Sequence, residues 1–252
     1  MSGNSGILFM KFHEIYDQIF AEKPYEKEVS LAMALLGGQP SKVLEVGCGT
    51  GRHTEALLRR GLKVTAVDTD PAMILLAKER NRFYLGKRLR FALGGVDKAP
   101  RKPVDGALSL FHVVNYLQTE KDLLRFFSEI SLRLKTGKRL VFDAWNGLAA
   151  ILDPPRTTTP ARTICRGQER IVFRTKTTTD LWKMRADLEV VIRSQGGKPE
   201  TYRYTHRIWL PAELCGFLEM SEMKCERICT WKNPRRQATP RDWKIVFVAR
   251  KM

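Results

Sequence analysis

Long apolar stretches are missing from this chain of 252 residues. No run approaches the roughly 18 apolar residues that a membrane-spanning helix needs, so no membrane span is expected. The first eleven residues carry no basic segment ahead of an apolar one, and no signal peptide is read there. Cysteine is sparse and odd in number: Cys48, Cys165, Cys215, Cys225 and Cys229, with no C-x-x-C pair. Cys225 and Cys229 have a spacing that could put them on one helix face, but no histidine or second pair completes a zinc site, and no metal is expected. Reduced thiols in a cytoplasmic protein are the simplest reading. Histidine is scarcer still, with only His13, His53, His112 and His206, which shortens the roster of general bases. Acid is under-represented too: 27 Asp and Glu stand against 44 Lys and Arg, a net charge of +17. Such a field attracts polyanions. The densest basic cluster is Lys78, Arg80, Arg82, Lys87, Arg88 and Arg90, with Lys98, Arg101 and Lys102 nearby. It reads as a solvated basic surface or as a nucleic-acid footprint.

What is present is organised around Lys42 to His53. Val43, Leu44 and Val46 read as a buried parallel strand. Gly47, Gly49 and Gly51 then form a tight turn that lets the backbone approach a ligand, and a helix follows from Arg52 to about Arg60. A dinucleotide fingerprint would need a further glycine at the position of Arg52. The spacing here is G-x-G-x-G instead. Glu45, two residues before the first glycine, would repel a pyrophosphate but suits an ammonium group. The next strand, Leu62 to Val67, ends in Asp68, whose carboxylate can accept both hydroxyls of a ribose. An ammonium near Glu45 and a ribose near Asp68 describe S-adenosylmethionine (SAM).

These residues resemble the class I SAM-dependent methyltransferases. Val43 to Thr54 looks like their first motif, Val64 to Arg80 like the acidic loop and helix after it, Pro103 to Leu110 like the fourth strand, and Leu134 to Asp143 like the turn into the fifth. The resemblance implies an α/β fold: a doubly wound, seven-stranded, mostly parallel Rossmann-like sheet. It also implies S-adenosyl-L-methionine as cofactor, bound through Tyr25, Glu45, Gly47, Cys48, Gly49, Gly51, Asp68, Thr69, Met73, Gly95, Val96, Asp97, Leu110 and Phe111. The family usually follows its third strand with Gly-Asp, the acid binding the adenine amine. This chain has Gly94-Gly95-Val96-Asp97, so backbone groups of Gly95 and Val96 would take that role, or Asp97 would reach in.

The remaining chain divides into a helical cap (1–40), the cofactor core (41–147), an inserted antiparallel β lid (148–210), and a closing helix with a β-hairpin (211–252). Apolar residues at helical spacing run from Met10 to Leu36, broken at Lys23-Pro24. Tyr16-Asp17 and Tyr25-x-x-Glu28 resemble the cap of small-molecule methyltransferases, which places Tyr16 near the transferred methyl and Tyr25 near the methionine carboxylate; simple packing is the other reading of both tyrosines. After the fourth strand come His112, Asn115 and Tyr116, and after the fifth comes Trp145, all facing the ligand crevice at the carboxyl edge of the sheet. His112 and Tyr16 are the candidate catalytic groups, and Asn115, Tyr116, Trp145 and His206 are the candidate acceptor contacts. His13 and His53 are read as structural or solvent-facing, His53 alternatively as approaching the methionine tail. Leu152 to Pro160 reads as a linker. Three alternating runs then form the lid: Arg162 to Thr177, Leu181 to Arg193 and Glu200 to Leu210.

No N-P-P-Y or D-P-P-Y motif follows the fourth strand, and no thiolate motif for pyrimidine methylation is found. The layout with its lid most resembles small-molecule N-methyltransferases. In the amino-sugar enzymes of that branch a histidine commonly sits where this chain has Asn115 or Tyr116. The expected function is methyl transfer to a small-molecule acceptor at nitrogen, with the lid as the place for a homodimer contact. The alternatives are methylation of RNA or another nucleic acid, and SAM binding without catalysis.

Overall fold

The computed structural model of the protein describes residues 5–155, 157–166 and 169–252. Arg156 of the expected linker, residues 167–168 of the first lid run, and residues 1–4 of the expected cap lie outside it. In chain order the helices are α1 (Ser5–Ile19), α2 (Tyr25–Leu36), α3 (Arg52–Arg59), α4 (Pro71–Arg80), α5 (Glu120–Ser131), α6 (Gly147–Leu152) and α7 (Pro211–Met220). The strands are β1 (Lys42–Val46), β2 (Lys63–Asp68), β3 (Leu89–Leu93), β4 (Val104–Ser109), β5 (Leu134–Trp145), β6 (Arg162–Arg166), β7 (Glu169–Asp180), β8 (Arg185–Ser194), β9 (Glu200–Arg207), β10 (Met223–Cys229) and β11 (Lys244–Lys251).

Seven strands form one sheet in the order β10-β11-β5-β4-β1-β2-β3. The pairings β5-β4-β1-β2-β3 are parallel, and β11 runs antiparallel to both neighbours. The near-continuous apolar strands follow from cover on both faces. On one face Leu123, Phe127 and Ile130 of α5 and Leu214 and Leu218 of α7 pack on Leu44, Leu140, Phe142 and Phe247. On the other, Val29, Ala32 and Leu36 of α2, Leu57 and Leu58 of α3, and Ile74 of α4 pack on Val43, Val64, Leu108 and Val246. Each such side chain contributes about 1.5–3 kcal/mol on burial. Chain order reverses between β1 and β4, so the crevice of this fold opens at their carboxyl ends.

A second, four-stranded antiparallel sheet has the order β6-β7-β8-β9. Along β8, Ala186, Leu188, Val190 and Ile192 alternate inward and are buried. Ile15 and Ile19 of α1 pack on Ile171, Phe173, Val190, Ile192 and Tyr202 of this sheet. The lid and the amino-terminal helix therefore share a core, and α1 is held above the sheet's carboxyl edge.

Three expectations are corrected. The first lid run is two strands, β6 and β7, rather than one. The fifth strand is far longer than Arg139 to Phe142, because β5 is paired by β11 from Arg139 to Trp145. A short helix, α6, capped by the Asn146 carboxamide accepting from Leu148 N–H at 3.1 Å, precedes the expected linker and absorbs its first residue.

Candidate functional site

The turn after β1 is built around glycines in left-handed backbone. Gly47 has φ +73°, and a Cβ there would lie 2.4 Å from Val113 Cγ2. Gly49 has φ +53°, and a Cβ there would meet nothing within 4 Å. Gly47 is thus required by packing, whereas Gly49 leaves its backbone open toward the crevice. The Gly49 N–H donates to Asp68 Oδ2 at 2.8 Å, and the Asp70 N–H donates to Asp68 Oδ1 at 3.0 Å. Each Asp68 oxygen keeps a lone pair for a ribose hydroxyl. Burial raises the Asp68 carboxyl above its ordinary value, and the N–H donors pull it back. Thr69, beside it, is exposed, and its backbone also stabilises the Asp68 charge.

Glu45 is 2% exposed and its one hydrogen-bond partner among the described residues is Thr54 Oγ1, which donates to Oε2 at 2.6 Å. No cation pairs with it there. Burial pushes its pKa up to about 8. An internal carboxylate with an unfilled oxygen, beside a glycine turn, fits an ammonium ligand. With Asp68 at the tip of the next strand, the donor set matches both polar ends of S-adenosylmethionine. Cys48 and Gly51 complete the turn; the Cys48 thiol is buried and raised by that burial.

The helical cap is tied to this turn by residues that periodicity alone does not single out. Asp17 of α1 accepts from Thr50 Oγ1 at 2.7 Å, pairs with Arg80, and lies 3.3 Å from Arg52 Nε. His13 Nε2 lies 2.6 Å from Asp70 Oδ2, the carboxylate that caps α4. His53 Nε2 lies 2.8 Å from Glu28 Oε2, and Lys23 pairs with the same carboxylate. Both histidines are buried structural groups rather than solvent-facing ones. Tyr25 stacks edge-on to His53 at 4.8 Å, and its pKa is raised to about 12 by burial. Lys23 Nζ and the Arg52 guanidinium each lie 5.3 Å from the Tyr25 ring. Two cations thus bracket the tyrosine, in a cleft of about 430 Å³ between Lys23–Lys27 and α3. Glu26 and Glu55 line the cleft as well, and both cations are already paired, Lys23 with Glu28 and Arg52 with Asp17, so a ligand carboxylate would compete with those partners.

At the opposite end, Met73 of α4 and Leu110 are buried, and the loop 94–99 lies below. The sequence offers Asp97 as one of two ways to read an adenine amine. Its carboxylate is instead drawn to Arg125, 3.2 Å away, and Lys98, 3.6 Å away. The Val96 side chain is core, so Gly95 and Val96 can offer backbone groups only. A residue that sequence reasoning missed sets this loop: the buried Arg133 donates to Ala99 O at 2.7 Å and Asp97 O at 3.2 Å.

Beyond Leu110 the chain turns sharply. Phe111 and His112 have φ +76° and +62°, two successive side-chain-bearing residues in left-handed backbone, at a cost of about 1–3 kcal/mol each. The His112 N–H donates to Asp143 Oδ1 at 2.9 Å, and Trp231 Nε1 donates to Asp143 Oδ2 at 3.0 Å. His112 Nδ1 lies 3.7 Å from Asp143 Oδ2, too far for a hydrogen bond, and has no partner among the described residues. Burial lowers the His112 pKa, so the ring is neutral near pH 7.

A cluster of aromatic rings surrounds this turn. His206 of β9 stands edge-on to Tyr116 at 4.6 Å and to Trp145 at 4.5 Å, with Tyr204 at 5.3 Å. Tyr116 and Tyr204 stack at 5.8 Å, and Phe20, just after α1, meets Phe111 edge-on at 5.0 Å. Tyr16 packs on Phe20 at 4.8 Å. Burial raises the Tyr16 hydroxyl well above its ordinary value, and the Tyr116, Tyr25 and Tyr204 hydroxyls and Asp68 add to that effect. Both ring nitrogens of the buried His206 lack partners among the described residues, and burial pushes its pKa down to about 3. Asn115 does not join the cluster as expected. It is fully buried, its carbonyl accepts from Trp145 N–H at 3.0 Å, and its amide donates to Arg207 O at 2.8 Å. It ties the wall together behind Tyr116. Tyr204 is the cluster residue that the sequence reading missed; its alternation with Tyr202 and His206 was the available signal.

Residues 43–137 match the family model described as a methyltransferase domain. The putative methyltransferase YqeM of Bacillus subtilis is 25% identical over 142 residues, which are 54% of this chain and 55% of that protein. The chain thus spans about half the length of that curated relative. Among solved structures, a S-adenosylmethionine-dependent methyltransferase from Clostridium acetobutylicum shares the fold with a TM-score of 0.76 at 17% identity, over 96% of this chain and 98% of that one. The sugar N-methyltransferase KedS8 from a Streptoalloteichus species does so with a TM-score of 0.72 at 16% identity, over 94% and 93%.

Proposed function

We propose that this chain, whose residues 43–137 match the family model described as a methyltransferase domain, transfers a methyl group from S-adenosylmethionine to a nitrogen of a small acceptor held against the aromatic cluster. S-adenosylmethionine, when bound, would supply a sulfonium methyl, an electrophile that a positioned lone pair attacks as the C–S bond breaks and S-adenosylhomocysteine leaves. Glu45 and Asp68 would hold its ammonium and ribose, with Lys23, Tyr25 and Arg52 beside its carboxylate. The observation that carries the cofactor assignment is Glu45, a buried carboxylate with an unfilled oxygen at the lip of an open glycine turn.

The acceptor reading rests on the cluster. Tyr16, Phe20, Phe111, Tyr116, Trp145, Tyr204 and His206 form it with rings from the cap, the core and the lid. An acceptor held against these rings would be oriented toward the methyl; positioning of this kind supplies about 7–11 kcal/mol. A neutral amine attacks through its own lone pair, so the chain needs no strong base. His206, pushed down to about 3, is a neutral hydrogen-bond acceptor that can hold an amine N–H rather than take its proton. The methylated ammonium would lose its proton to solvent, and His112, held neutral by burial and tied to Asp143 through its backbone N–H, would flank the acceptor as an uncharged ring. The neighbour named a sugar N-methyltransferase supports nitrogen as the target. Incubation with methyl-labelled SAM and a panel of small amines and amino sugars tests this. N-methylated products are expected. Turnover of hydroxyl acceptors with no turnover of amines would refute the nitrogen assignment.

A further inference from the structure

A second depression lies at the other edge of the main sheet. It is a groove of about 590 Å³ formed at the amino ends of β1, β2, β3 and β4, remote from the glycine turn and Asp68 at the carboxyl ends. Lys42, Lys63, Lys78, Lys87, Arg90 and Lys102 rim it, and neither Asp nor Glu lines it. All six are exposed, and none forms an ion pair among the described residues. The nearby carboxylate is already occupied: Asp105 accepts from Ser41 and Lys42 N–H at 3.0 Å each and from Lys135 Nζ at 2.5 Å. The groove floor is apolar, with Val43, Val64, Leu89 and Phe91 among its walls. Aromatic rings interleave with the cations on its flank. The Arg88 guanidinium lies 5.2 Å from the Tyr84 ring, and Arg82 lies 4.9 Å from that of Phe83, which is 74% exposed.

Unpaired cations lining a channel would repel one another and be scattered or neutralised if the surface served solubility alone. A channel of this charge, with the exposed Phe83 ring two residues along the chain from Leu85 in its wall, combines the two elements that bind a single strand: cations that follow phosphates and an aromatic face on which a base stacks. A lipid surface fits less well, because the cations line a recess rather than a plane. We propose that this groove is a docking site for single-stranded nucleic acid, separate from the methyl-transfer site. The strand so bound is not the methyl acceptor, because the sheet lies between groove and cluster. The inference stands independently of the acceptor proposed above.

Fluorescence anisotropy of labelled U12 and dT12 oligonucleotides with the full chain, from 50 to 200 mM KCl, tests it. Six phosphate contacts at about 0.7 each give a log–log salt slope of about −4, and so an affinity loss of about 300-fold over that range. The triple variant Lys63→Glu, Lys87→Glu, Lys102→Glu should bind at least about tenfold more weakly at 50 mM and flatten the slope by about 2. Phe83→Ala should weaken binding several-fold without changing the slope. Calorimetric binding of S-adenosylhomocysteine should be unchanged by the oligonucleotide and by all these substitutions, which also verifies folding. No anisotropy change at 50 mM, or a triple variant that binds as the natural chain does, overturns the proposal. So does charge-dependent retention on phosphatidylserine vesicles without oligonucleotide binding, which would make the groove a lipid site. A failure here leaves cofactor binding and turnover intact, and the two readings are thereby separable.

Discussion

Replacing Glu45 by glutamine separates a charge at the glycine turn from a mere hydrogen-bonding shape. The carboxyl group has a pKa of about 8 in the ligand-free chain, raised from 4.5 by burial. At pH 7 it is therefore about 90% protonated, and an ammonium ligand must displace that proton. Binding of S-adenosylhomocysteine at pH 7 should release about 0.9 proton, read as the slope of calorimetric enthalpy against buffer ionisation enthalpy. Affinity should rise about tenfold per pH unit up to about pH 8 and then level. The Glu45→Gln variant would keep the contact from Thr54 but carry no charge. At pH 8.5 it should lose about 1.5–3 kcal/mol, or about 10- to 150-fold in affinity, as expected for a hydrogen bond to a charged group. At pH 6 the two proteins should nearly coincide. Stability follows the same group. The folded chain holds a proton that the unfolded chain has lost between pH 4.5 and about 8. The Glu45 contribution to the stability of the free protein is thus fullest below pH 4.5 and falls by up to about 1.4 kcal/mol per unit as pH rises through that window. Glu45→Gln should remove this dependence. Zero proton release, or equal affinities at pH 8.5, would refute the assignment of Glu45.

Asp68→Asn leaves one acceptor oxygen where two now serve Gly49, Asp70 and a ribose; cofactor affinity measured by calorimetry should fall about 150-fold, equivalent to about 3 kcal/mol, and a change under threefold would remove Asp68 from the site. Gly47→Ala sets a Cβ 2.4 Å from Val113 in left-handed backbone; a thermal-melt loss of several degrees is expected, and an unchanged melt would contradict the packing described. Asp17→Ala releases Thr50, Arg52 and Arg80 at once; protease cleavage within the cap should accelerate, and unaltered cleavage would show that other contacts hold α1. Tyr204→Ala opens the cluster from the lid side; the acceptor KM should rise more than tenfold with cofactor affinity unchanged, and the reverse pattern would place Tyr204 in the cofactor site.

The strand–turn–helix–strand unit proposed to hold the cofactor is legible because its determinants are local. Glu45, the glycines and Asp68 lie within one strand–turn–helix–strand unit, and their spacing is itself the geometry. The acceptor half depends on contacts distant in sequence. Asn115 looks like a ligand contact at the end of a strand, yet Arg207, 92 residues away, takes its amide. Asp97 looks available to adenine until α5 brings Arg125 beside it. Alternation in Glu200–Arg207 says that Tyr202, Tyr204 and His206 share one face, but not that this face closes over Tyr116 and Trp145. That follows from the packing of α1 on the lid, through Ile15 and Ile19. Arg133 is invisible for another reason: a buried arginine leaves no periodic trace, and its carbonyl partners together with the Glu129 carboxylate explain it.

The most direct measurement is a crystal structure of the chain with S-adenosylhomocysteine. The account predicts its ammonium on Glu45, its ribose on Asp68, and its sulfur facing His112 and the rings of Tyr16 and Tyr116. Density lodged in the basic groove between Lys63 and Lys102, with the glycine turn empty, would contradict it.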